Sequence, residues 1–72
     1  MKIKGLLVIE DLGVFGNARK LHYKLGNEDF YCYIYKGNSR QNFVVTNNGD
    51  VLNNNLSDEI LRSAMNYIFY NY

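Results

Sequence analysis

The chain has 72 residues, of which 47% are apolar and 21% charged, a balance that fits a globular protein and excludes a disordered one. A chain this short supports one domain with one small core, hiding only about 60% of the surface its unfolded form exposes, so a deep substrate cleft is hard to build. Eight Lys and Arg against seven Asp and Glu leave a net charge of +1, which argues against a dedicated duplex-DNA binder with its usual basic excess.

The first seventeen residues fit two readings. Lys2–Glu10 reads as a strand, with Leu6–Ile9 a buried run, or as a short helix ending before Gly13. The strand is favoured, because Val8 and Ile9 lower helix propensity and Gly5 breaks it. Gly13 and Gly16-Asn17 then form the loop to the next strand, with Val14 and Phe15 covering a core edge.

From Ala18 onward, Leu21, Tyr23 and Leu25 alternate with Lys20, His22 and Lys24. Side chains on a strand alternate faces with period two, so this segment has one apolar and one basic face. Gly26-Asn27-Glu28-Asp29 is turn chemistry. In the following strand, Phe30–Lys36, Phe30, Cys32 and Ile34 share the apolar face, and Tyr31, Tyr33 and Tyr35 share the other. A four-residue loop pairs Leu25 with Phe30, Tyr23 with Cys32 and Leu21 with Ile34. It sets Lys24, His22 and Lys20 opposite Tyr31, Tyr33 and Tyr35. No acid or nucleophile falls beside His22 in this register.

Gly37–Arg40 reads as a second turn that puts Phe43 and Val45 on the apolar face and Val44 and Thr46 with the tyrosines. Asn48-Gly49 is a type I′ hairpin signal, pairing Val45 with Leu52 and Thr46 with Val51 in a short last strand. Ser57 reads as the N-cap of a C-terminal helix, with Asp58 and Glu59 in its first turn and Leu56 and Leu61 as a staple. Leu61, Ala64, Met65, Ile68 and Tyr72 form a stripe at helical spacing, flanked by Ile60, Tyr67 and Phe69. Together these elements predict an α+β fold over residues 1–72. Its sheet is a small antiparallel meander of three to five strands, with the helix packed on one face.

Cys32 is the only cysteine, which excludes an internal disulfide and a thiolate zinc site, and its place on the apolar face makes it a small inert hydrophobe. The longest apolar run, Leu6–Ile9, is far short of the roughly 20 residues a membrane span requires, and no cleavable signal is visible. These observations point to a cytoplasmic protein without a membrane partner. The acids fall in separate patches at turns and at the helix start, where capping and solubility explain them. No metal site, cofactor motif or catalytic constellation is expected, and the chain reads as a non-enzyme.

The candidate site is therefore the face carrying Lys20, His22, Lys24, Tyr31, Tyr33 and Tyr35, with Tyr70 on the helix as a further partner patch. Tyrosine is enriched at protein interfaces because it joins a large ring to a polar tip. The expectation is a non-enzymatic module binding a larger protein. The alternative is a single-stranded nucleic-acid binder in which bases stack on the tyrosines and Lys20 and Lys24 meet phosphates. The plain alternative is that Lys–Tyr pairs decorate the solvent side of the sheet. A homodimer through the aromatic C-terminus and strand addition beside Phe43–Thr46 are further options. Eleven asparagines and seven tyrosines without Pro or Trp fit an AT-rich genome. That composition suggests a phage or mobile-element protein that inhibits a host or defence protein by occupying its surface.

Overall fold

The computed structural model describes residues 6–35, 37 and 39–71, with side chains placed from Glu10 onward except those of Ser39 and residues 69–71. Five strands follow one another in a single antiparallel sheet: β1 (Leu6–Phe15), β2 (Ala18–Leu25), β3 (Glu28–Tyr35), β4 (Phe43–Thr46) and β5 (Val51–Leu52). The helix α1 (Asn55–Asn71) closes one face, packing on β3 and β4. The fold is α+β.

The N-terminal segment is a strand and not a helix from Leu6 onward, while the Lys2–Gly5 part of that expectation lies outside the described residues. The strand runs past Gly13 to Phe15 and absorbs two register shifts, between Val8 and Glu10 and between Asp11 and Gly13. Bulges of this kind re-aim side chains and blunt a sheet edge. Because the strand continues to the tight Gly16-Asn17 turn, Val14 and Phe15 lie at a hairpin tip. They are 56% and 61% exposed and do not cover a core edge.

The β2–β3 connection is a two-residue turn, Gly26-Asn27, and Leu25 pairs with Glu28. Gly26 has φ of 61° and no described non-glycine residue has positive φ, the pattern of a type II′ turn, whose twist matches that of the strands. The register is therefore two residues from the expected one, and Tyr23 faces Phe30 and Leu21 faces Cys32. An even shift keeps every side chain on its face.

The β3–β4 connection corrects the faces of β4. It contains a 3-10 turn, Ser39–Gln41, and Asn42, whose Oδ1 accepts the Tyr35 backbone N–H at 2.7 Å. This longer connection sets Cys32 opposite Val44 and Tyr33 opposite Phe43, a slip of one residue. An odd slip inverts a strand, so Val44 is fully buried and Phe43 and Val45 join the tyrosines. The β4–β5 turn is a type I turn with a bulge. The Gly49 N–H donates to Thr46 O at 2.9 Å, and Gly49 itself carries the positive φ of 87°. Val45 consequently pairs with Val51 and Val44 with Leu52.

Leu21, Tyr23, Phe30, Cys32, Ile34 and Val44 from the sheet meet Ile60, Ala64 and Ile68 from α1 in the core. The buried stripe is centred on Ile60, which has no exposed surface, while Met65 is 43% exposed. The helix is thus rotated from the orientation its apolar spacing suggests. The reason lies in its start: the cap is Asn54, three residues before Ser57. The Asn54 side chain accepts the Ser57 N–H at 3.1 Å, and the Ser57 hydroxyl accepts the Asn54 N–H at 2.9 Å. This is a reciprocal capping box with serine in the usual Glu position. Ser57 is therefore buried inside the first turn, and Leu56 and Leu61 pack on the core from within the helix and not as a staple. Ser63 turns toward the sheet, where its Oγ accepts the Tyr23 hydroxyl at 2.9 Å.

Candidate functional site

Lys20, His22, Lys24, Tyr31, Tyr33 and Tyr35 project to the face opposite α1, as their alternation with buried Leu21, Tyr23, Cys32 and Ile34 requires. The side chain of Tyr70 lies outside the described residues. The direct pairs are His22 with Tyr31 and Lys20 with Tyr33, while Lys24 pairs with Asp29 and Tyr35 with Ala18. These replace the expected Lys24–Tyr31, His22–Tyr33 and Lys20–Tyr35 pairs, because the shorter turn moves each partner by two residues.

The rings form a ladder. His22 stacks on Tyr31 at 4.8 Å and 14°, and Tyr33 stacks on Phe43 at 4.8 Å and 13°. Phe43 also lies 6.3 Å from Tyr35. Between the two stacks sits the Lys20 ammonium, 5.0 Å from the Tyr31 centroid and 5.3 Å from that of Tyr33, a cation–π arrangement. The ring faces thus largely contact one another or Lys20. The row Phe15–Ala18–Tyr35 extends the apolar surface across β1 and β2, and Val45–Val51 extends it to the other edge, where Val51 is 68% exposed. Phe15, Phe43 and Val45 were not recognised from sequence as part of this face, whereas Val51 was placed on it with a different partner. For Phe43 and Val45 the missing information was the length of the β3–β4 connection. For Phe15 a usable signal was present, since Gly16-Asn17 is the same turn dipeptide as Gly26-Asn27.

His22 is flanked by acids, contrary to the expectation of none. Its Nδ1 lies 3.3 Å from Glu10 Oε1 and its Nε2 lies 2.9 Å from Asp29 Oδ1. The bulge in β1 brings Glu10 opposite His22, and the two-residue turn brings Asp29 within diagonal reach. Both ring nitrogens are therefore taken up by carboxylates.

The other polar cluster lies on the helix side. Arg19 forms a bidentate pair with Asp11, and the Tyr67 hydroxyl donates to Asp11 Oδ2 at 3.2 Å. The Arg19 guanidinium also lies 5.7 Å from the Tyr67 ring centroid. Hydrogen bonding from Arg19 holds the Asp11 carboxyl below its ordinary value. This cluster ties β1 and β2 to α1. Burial pushes the Cys32 thiol up to about 12 and likewise raises the Tyr23 phenol to about 12. At neutral pH both stay protonated.

A shallow depression of about 260 Å³ opens between the β2–β3 and β4–β5 turns, lined by Asn27, Asp29, Thr46 and Asn47 among others. Among the described residues, no group of three or more His, Cys, Asp or Glu side chains is placed to hold a metal ion. None of the described helices is long and apolar enough to cross a membrane. Comparison with protein-family models, curated proteins and solved structures gives no match.

Proposed function

We propose that this protein is a non-enzymatic binding module that engages a larger protein through the tyrosine-bearing face of its sheet. The observation that carries this reading is the stacked ladder from His22 to Tyr35. The core cluster beneath α1 draws its sheet residues from the other face, so these rings are surplus to it. Their mutual stacking limits their motion in the free protein, so fewer rotamers are lost on binding. The ladder offers ring edges and tyrosine hydroxyls, a combination suited to a protein interface with an apolar centre and satisfied polar tips. Binding of this kind acts by occupying a partner's surface, the mode proposed for an inhibitor of a host or defence protein from a phage or mobile element.

The alternative, a single-stranded nucleic-acid platform on Lys20, Lys24, Tyr31, Tyr33 and Tyr35, requires open ring faces for base stacking. Here Phe43 and His22 occupy them, which favours the protein partner. The test combines affinity capture from native host cells with titration of a labelled single-stranded oligonucleotide at two salt concentrations. The reading expects a protein retained by the wild type and not by Tyr33→Ala, with no oligonucleotide bound even at low salt. Oligonucleotide affinity that falls steeply with salt and vanishes in Tyr33→Ala would replace this reading with the alternative.

A further inference from the structure

Resting on that reading, we infer that the partner's matching surface is an apolar patch carrying carboxylates, one of which meets Lys20 within the ladder while others face Lys24. On this face Lys20 and Lys24 balance Glu10 and Asp29 in number but not in position. Glu10 and Asp29 both turn onto His22. Asp29 does so although it stands directly opposite Lys24, and Lys24 is left exposed without an ion pair among the described residues. Among the described residues the Lys20 ammonium has no ion pair and lies over two ring faces, at 5.0 and 5.3 Å.

The position of Lys20 decides the matter. Its ammonium is not on the rim of the aromatic surface but between Tyr31 and Tyr33, so any partner that covers the rings covers the cation too. An ammonium taken out of water without a counter-charge is strongly disfavoured. The partner must therefore bring an anionic group to that spot. Lys24, at the margin, contributes long-range attraction and orientation, as rim charges do.

The whole protein, immobilised and panned against a displayed library of random peptides, tests this. Selection on the wild type with counter-selection on Tyr33→Ala isolates peptides that need the face. Phe43→Ser is a second counter-selection variant that does not rely on the folding of Tyr33→Ala. The expected peptides combine aromatic or aliphatic residues with enriched Asp and Glu. Lys20→Gln should weaken them at least about tenfold, and Lys24→Gln should slow association about two- to threefold, more at low salt. Face-dependent peptides without acid enrichment, or indifferent to Lys20→Gln, overturn the inference and leave the binding reading standing. If no peptide depends on the face, both fall. A thymidine oligomer that displaces the peptides also overturns the inference, because it assigns the lysines to phosphates.

Discussion

Val44 and Val45 are adjacent, chemically identical and placed on opposite faces, so truncating each in turn tests the register that builds the ladder. Val44 is fully buried between Cys32 and Leu52, whereas Val45 is half-buried on the outer face opposite Tyr31. Val44→Ala removes two methyl groups from the core. At about 0.8 kcal/mol each for transfer, with a cavity term added, the loss is about 2–3 kcal/mol. A chain of this size has a net stability of roughly 3–5 kcal/mol, so the variant should retain only a thin margin. Val45→Ala gives up partly exposed surface and should cost about 1 kcal/mol or less. Urea unfolding followed by far-UV circular dichroism, with a slope of about 1 kcal/mol/M for so small a protein, reads these as midpoint losses of about 2–3 M and about 1 M or less. Val45→Ala costing more than Val44→Ala would refute the register and move Phe43 out of the ladder.

The helix orientation makes a similar prediction. Ile60→Ala should cost about 2–5 kcal/mol and leave much of the population unfolded, while Met65→Ala should stay within about 0.5 kcal/mol of wild type in the same assay. Asn54→Ala should lower stability by about 1 kcal/mol through loss of the cap, measured by thermal melting. Tyr23 and Cys32 have folded values of about 12, above their ordinary 10.0 and 9.0. Their contribution is therefore fully present below pH 9 and is lost as pH rises from 9 toward 12. Melting temperature against pH should show that loss, and Cys32→Ala should move its onset up to about pH 10, where Tyr23 alone remains.

The face assignment of β2 and β3 was legible because a period of two survives any even error in pairing. Reading Gly26–Asp29 as a four-residue loop displaced the register by two residues and left Tyr31, Tyr33 and Tyr35 on the correct side. The same style of reading failed in β4, where the connection added an odd number of residues and exchanged Val44 with Val45. Turn composition reveals where a chain reverses but not how many residues the reversal consumes. Asn48-Gly49 shows this well, since the glycine sits in a bulge after a type I turn and not at the centre of a type I′ turn. The carboxylates around His22 were hidden for the same reason, and Glu10 also depends on a bulge that no local pattern in β1 announces. In α1 the apolar spacing identified the helix, but Met65 and Ile60 both satisfy it. The capping box at Asn54 and Ser57, which buries Ser57 in the first turn, decides between them.

The account rests on two faces of one sheet, with Tyr23 sealed beneath α1 and Tyr31, Tyr33 and Tyr35 partly exposed on the other side. Hydroxyl-radical footprinting of the native protein, read by mass spectrometry residue by residue, tests this most directly. The expected result is oxidation of Tyr31, Tyr33, Tyr35 and Phe43 while Tyr23 stays protected until the protein is unfolded. Oxidation of Tyr23 in the native protein at the rate of Tyr33 would contradict the account.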